Sequence, residues 1–210
     1  MTTNAYTHNR LPGKPGGPLL FTFHGTGGDE TQLVSLGRDL LPSATIVSPR
    51  GDVSEFGAAR FFRRTDEGVY DMDDLARATV KMTGFVAAHV EAEKPSAVVG
   101  IGYSNGANIL ASVLFARPKL FDATVLMHPL IPFEPEVDGS LSGRRILITA
   151  GRRDPICPPD LTNRLASYLR AGGGDVTLEW HEGGHEMRPG EIEAAKRFLA
   201  GIRTGEATDA

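Results

Sequence analysis

Short apolar runs alternate with longer segments of helical period along the 210-residue chain. The runs fall at 19–23, 45–48, 97–102, 124–127, 146–149 and 176–180. All are short enough to be strands, and most carry valine or isoleucine. The stretch 31–41 is the weakest helix between them, because Gly37 interrupts it. The stretch 71–93 is the strongest. Asp71, Asp73 and Asp74 crowd its first turn, where carboxylates complement the helix dipole, and Leu75, Met82, Phe85 and Val86 follow near a 3.6 period. Further helices are predicted over 105–116, ahead of Pro118, over 159–170, ahead of the glycines at 172–174, and over 190–202. This alternation predicts an α/β fold: a mainly parallel central sheet with helices on both faces. The segment 51–70 is long for a connection and carries Arg60-Phe61-Phe62-Arg63-Arg64. Long ordered loops in compact domains are often functional.

Composition narrows the classes. Hydrophobic residues make up 40% of the chain, enough for a packed core, and the length suits one domain, expected over 1–203 with a flexible polar tail over 204–210. A formal net charge of −4 gives no electrostatic reason to expect nucleic acid or an anionic membrane as partner. No run approaches the roughly 20 apolar residues of a membrane span. The polar N-terminus lacks the apolar run of a signal peptide. One cysteine, Cys157, allows no intramolecular disulfide, which fits a reducing compartment; a cytoplasmic location is expected.

The chemistry centres on Gly102-Tyr103-Ser104-Asn105-Gly106, a G-x-S-x-G motif between a predicted strand and a predicted helix. A sharp strand-to-helix turn forces its middle residue into a strained backbone conformation and brings the chain close to itself on both sides. Glycines two before and two after the serine remove the side chains that would clash. The hydroxyl of Ser104 is then lifted clear of the sheet, as a nucleophile must be. A dinucleotide site is the rival reading of Gly100 and Gly102, but the third glycine of G-x-G-x-x-G would fall at Asn105.

A serine hydroxyl needs a base, and the base needs a carboxylate to fix its tautomer. Asp154 follows the run 146–149, and His185 follows the run 176–180, so both fall just past strand ends, in the chain order nucleophile, acid, histidine. His181 competes for the role of base but sits at the strand end. An oxyanion hole is expected from the backbone N–H of Thr26, in His24-Gly25-Thr26-Gly27-Gly28, and that of Asn105. His24 is read as structural. A phosphate loop would need a G-K-[ST] ending, which this glycine loop lacks.

With these motifs assembled, the chain resembles the phospholipase/carboxylesterase family of α/β-hydrolases, closest to a bacterial carboxylesterase branch. The resemblance rests on His24-Gly25-Thr26-Gly27-Gly28-Asp29-Glu30, Arg60-Phe61-Phe62-Arg63-Arg64, Glu67-Gly68-Val69-Tyr70-Asp71, the serine block through Asn108, His128-Pro129 and Gly184-His185. It implies an α/β-hydrolase fold and a small cytosolic esterase or lysophospholipase/thioesterase-like enzyme, often a homodimer, without cofactors. The elbow here carries Tyr103, with Asn105 after the serine, where relatives that remove acyl chains from proteins have a G-F-S-x-G elbow, which argues against that activity.

Phe61, Phe62, Ile131, Phe133, Ile156 and Met187 are candidates for an apolar substrate pocket. Cys157 reads as a small packing residue. No His/Cys/Asp cluster has metal-ligand spacing, so no metal is expected. The interval from His128 to Arg145 is too short for a helical lid and holds Pro129, Pro132 and Pro135, so an uncapped site is expected. The expected function is hydrolysis of small to medium carboxylic esters. A lysophospholipase or thioesterase on longer chains, and a non-catalytic binding protein, are the competing readings.

Overall fold

The structure, a computed structural model, describes residues 2–135 and 139–202. In chain order its strands are β1 (His8–Leu11), β2 (Leu19–Phe23), β3 (Thr45–Pro49), β4 (Val53–Glu55), β5 (Ala58–Arg60), β6 (Arg64–Asp66), β7 (Val69–Tyr70), β8 (Val98–Tyr103), β9 (Ala123–Met127), β10 (Arg145–Gly151) and β11 (Asp175–His181). The helices are α1 (Val34–Leu40), α2 (Met72–Glu93), α3 (Asn105–Ala116), α4 (Pro159–Ala171) and α5 (Pro189–Leu199). The expectation for the tail, 204–210, lies outside the described residues.

Seven strands form one sheet in the order β1-β3-β2-β8-β9-β10-β11. Every pair is parallel except β1 with β3. Helices cover both faces, so β2, β3 and β9 are buried at every position, which is why they read as continuous apolar runs. One face carries α2, α3 and α4 over a core with Phe21, Phe23, Phe85, Ile109, Leu110 and Leu165; the other carries α1 and α5 over Leu20, Ile46, Val99, Ile101 and Val125. Burying one such aromatic or aliphatic side chain contributes about 1.5–3 kcal/mol. The expected α/β-hydrolase architecture is the one observed.

Three differences from expectation have local causes. Helix α1 starts at Val34, not at 31, because Asp29 captures both the N–H and the hydroxyl of Thr31 and makes a turn there. Gly37 stays within it because a Cβ there would come within 3.0 Å of Leu20 on the sheet. The segment 51–70 folds into two hairpins, β4–β5 and β6–β7. Arg63 ties them down: its N–H donates to Asp74 and its guanidinium meets Asp71, both at the start of α2. Between β9 and β10 the described residues contain no helix or strand, and no helix among them is long and apolar enough to cross a membrane.

Candidate active site

Ser104 sits between β8 and α3 with φ 53° and ψ −118°, a conformation side-chain-bearing residues rarely hold. The turn is enforced on both sides. A Cβ on Gly102 would lie 2.5 Å from the Gly106 carbonyl oxygen, and one on Gly106 would lie 2.1 Å from that of Phe23. The Ser104 N–H donates to Met127 at 2.9 Å, and its carbonyl accepts from Asn108 at 3.0 Å. The strain is therefore held by the neighbouring strand and by the first turn of the helix.

The structure brings Ser104, His185 and Asp154 together across three separate loops. Ser104 Oγ lies 2.8 Å from His185 Nε2, and His185 Nδ1 lies 2.8 Å from Asp154 Oδ2. The same Oδ2 lies 2.9 Å from His128 Nδ1, while Oδ1 accepts from the N–H groups of Ile156 and Cys157, each at 2.9 Å. Asp154 thus has four hydrogen-bond donors and is buried. Burial pushes its carboxyl up, but the Cys157 N–H, His128, His185 and the Ile156 N–H outweigh it and hold the group below its ordinary value. An ionised acid is the form that can accept from His185.

The glycine loop after β2 leaves one donor open. The N–H groups of Gly25, Gly27 and Gly28 donate to Gln32, Ala59 and Gly25 respectively. Among the described residues the N–H of Thr26 has no partner, and neither does that of Asn105 at the start of α3. Both residues line the same cleft as Ser104 and His185. Side chains lock this arrangement. Arg60 donates to the Thr26 hydroxyl at 2.9 Å, and Asn105 Oδ1 accepts from the Phe61 N–H at 2.8 Å. His24 is structural, as expected. Its Nε2 accepts from the Gly51 N–H, so its proton lies on Nδ1, 2.7 Å from the Gly25 carbonyl; burial pushes it toward neutrality.

The cleft has a volume of about 310 Å³ and is more polar than expected: Arg60, Arg64, Glu67 and Asn108 join Tyr70, Tyr103, Leu130, Ile156 and Cys157 in its wall. Of the apolar candidates only Ile156 lies there. Phe61 and Phe62 are fully buried in the core. The chain bends at these two residues instead of running extended, so both rings turn inward, Phe61 onto Phe23 and His24, Phe62 onto Tyr70. Ile131 is core, Phe133 sits over a groove between α2 and α3, and Met187 packs on the opposite face of the sheet. The roof is made by the hairpins of 51–70, through Arg60, Arg64, Glu67 and Tyr70, not by these apolar side chains. Burial raises the Cys157 thiol, keeping it protonated.

Several residues at the site carried no signal strong enough to single them out. The Tyr103 hydroxyl donates to the His185 carbonyl at 2.6 Å. Asn108 Oδ1 accepts from the Leu130 N–H, and Asn108 Nδ2 lies 2.7 Å from the Tyr70 hydroxyl, which donates to the Leu130 carbonyl. His128, at the end of β9, and Glu191, in the first turn of α5, sit behind Asp154. His128-Pro129 after a strand was a legible hint for the first; Glu191 had none.

His128, His181 and Glu191 hold ligand-type atoms within 4.8 Å of one another, as do His128, Asp154 and His185. The first group is a hydrogen-bond network. His181 Nδ1 accepts from the Gly183 N–H at 2.9 Å, so the proton of His181 sits on Nε2, the atom a metal would need.

The model of the dienelactone hydrolase family matches residues 59–187. The putative hydrolase MhqD of Bacillus subtilis is 38% identical over 182 residues, covering 86% of this chain and 91% of MhqD. Among solved structures, Atu2452 of Agrobacterium tumefaciens is 60% identical, with a TM-score of 0.92 over 95% of this chain and 98% of that one. The Bacillus cereus carboxylesterase is 37% identical, with a TM-score of 0.88 over 93% of each chain.

Proposed function

Since the chain belongs to the dienelactone hydrolase family, hydrolases of the α/β class, we propose that it is a serine carboxylesterase acting on small to medium esters through an acyl-enzyme intermediate. The observation that carries this reading is the unbroken line of contacts Ser104–His185–Asp154, with two unpaired backbone N–H groups beside the serine.

Ser104 Oγ attacks the ester carbonyl carbon while His185 Nε2 takes its proton. Asp154 on Nδ1 fixes the tautomer and stabilises the imidazolium that forms. The carbonyl oxygen becomes an oxyanion and takes the N–H groups of Thr26 and Asn105. Such a preorganised donor is worth about 3 kcal/mol in the transition state. His185 returns the proton to the departing alcohol oxygen. Water then enters, gives a proton to His185 and attacks the acyl carbon, and Ser104 Oγ leaves with that proton.

The size preference follows from the cleft. At about 310 Å³ it is at the small end for ligand sites, and charged or amide side chains occupy much of its wall. A long acyl chain would lie largely uncovered, forgoing about 0.8 kcal/mol for each CH₂ left in water. The single cysteine, buried and unpaired, fits work in a reducing compartment such as the cytoplasm.

The test is kcat/KM over p-nitrophenyl esters from acetate to palmitate, below their micelle range. Turnover of the short esters, with selectivity flat or falling beyond medium chains, is the expected result. No turnover of any ester would overturn the esterase reading. A steady rise to the longest chain would replace it with a lysophospholipase or long-chain thioesterase.

A further inference from the structure

Behind Asp154 lies a buried group that the proposed reaction does not use directly. The side chain of His128 is fully buried, and each of its ring nitrogens faces a carboxylate oxygen: Nδ1 is 2.9 Å from Asp154 Oδ2, and Nε2 is 3.1 Å from Glu191 Oε1. A neutral imidazole has one N–H, so one of these contacts would set a lone pair against an anion. An imidazolium satisfies both. Its far carboxylate is as well served as Asp154. Glu191 Oε1 also accepts from the Thr149 hydroxyl at 2.6 Å, and Oε2 accepts from the Arg188 N–H at 2.7 Å and lies 3.3 Å from His181 Nε2.

We propose that His128 is a positioning residue: an imidazolium clamped between Asp154 and Glu191 that aims the acid at His185 and sets its own charge beside that base. The proposal rests on the serine-hydrolase reading above. The ring of His128 lies 5.1 Å from that of His185, centroid to centroid. A fixed cation there opposes a second positive charge on His185. It also shares Asp154 Oδ2, so His185 does not have that oxygen to itself. Both effects act in one direction, and removing the imidazolium removes both.

The other groups facing His128 are few. Tyr103, from β8, approaches ring edge to ring at 5.9 Å, and burial with Asp154 nearby keeps its hydroxyl protonated. Cys157 donates its S–H to the His128 carbonyl at 3.2 Å. His181 Nε2 stands 3.4 Å from His128 Nε2, the spacing of two N–H donors on one carboxylate. The Arg188 guanidinium turns away to Glu186. Burial alone would drive His128 toward neutrality, yet the hydrogen bonds of Glu191 and Asp154 outweigh it and raise its proton affinity.

The test has two arms. Histidine side chains labelled with ¹⁵N are observed in the unmodified protein at pH 8. One imidazolium among the six histidines, with two protected N–H protons, is expected; six neutral rings would overturn the proposal. In the second arm His128→Asn, a residue that tolerates the positive φ of 52° found here, is compared with wild type across pH. The acid limb of kcat/KM should move up by on the order of one pH unit, with KM nearly unchanged. An unshifted limb with merely reduced activity would show a packing role and overturn it. If His128→Asn does not fold, the ¹⁵N measurement decides alone. Failure of the hydrolase reading is seen separately, as wild-type protein that neither turns over esters nor reacts with a fluorophosphonate.

Discussion

The hydroxyl of Tyr103 donates to the backbone carbonyl of His185 at 2.6 Å, so the residue before the nucleophile holds the loop that carries the proposed base. The ring also fills the space that the absent Cβ of Gly25 leaves, which would lie 2.8 Å from its Cδ1. Nucleophile, base and oxyanion loop therefore meet on one side chain.

Tyr103→Phe keeps the ring and deletes that tether. The lost hydrogen bond is worth about 1 kcal/mol, and a slightly misplaced base costs rate as well. A fall in kcat of about tenfold, with the melting temperature within a few degrees of wild type, is expected. Steady-state kinetics beside a thermal melt check this; wild-type kcat would mean the loop is held by other contacts.

Gly106→Ala should break the turn. The new methyl would lie 2.1 Å from the Phe23 carbonyl oxygen and 2.5 Å from that of His24, both backbone atoms that cannot swing aside. Overpacking of this kind costs roughly 3 kcal/mol or more, a drop of about 10 °C in melting temperature. Gly190→Ala, in the first turn of α5 where a Cβ meets nothing within 4 Å, is the control and should be neutral or slightly stabilising.

Stability should be greatest in a mildly acidic window. Asp154 and Glu191 are held below their ordinary values of 3.8 and 4.5, chiefly because hydrogen bonds overcome burial, so their contribution is present above those values and is lost as pH falls through the folded ones. His128 is raised from 6.5, so its contribution is complete below 6.5 and is lost as pH rises through its folded value. Urea midpoints measured from pH 3 to 9 should peak near 6.5 and fall on both sides: below it His24 and His89, lowered chiefly by burial, bind protons preferentially in the unfolded chain, and above it His128 holds its proton only in the folded one. A midpoint still rising from pH 7 to 9 would contradict the sign given for His128.

What the chain reveals on its own follows from the range of the interactions. The central strands are buried on both faces, so each leaves a continuous apolar run, and the elbow and the acid each follow one of these runs closely, while the base follows the half-buried edge strand β11. By contrast β1, with the sequence His-Asn-Arg-Leu, is an edge strand with little burial and leaves no apolar trace. The hairpins of 51–70 use strands of two or three residues, too short for a period to show. Phe61 and Phe62, alternating with arginines, fit either a pocket wall or a loop pinned to the core by its aromatics, and an extended segment would not let both face one way; a local bend sends both into the core. The Asp154–His128–Glu191 cluster joins residues 26 and 37 positions from the acid, on three elements that meet only in the folded sheet.

The most direct measurement is of the nucleophile itself. Wild-type protein and Ser104→Ala are treated with a fluorophosphonate, digested, and the modified peptide is located by mass spectrometry. One adduct on Ser104, abolished in Ser104→Ala together with ester turnover by on the order of 10⁶-fold, is the result the account predicts. Labelling at another residue, or a Ser104→Ala protein that folds and keeps near wild-type turnover, would contradict it.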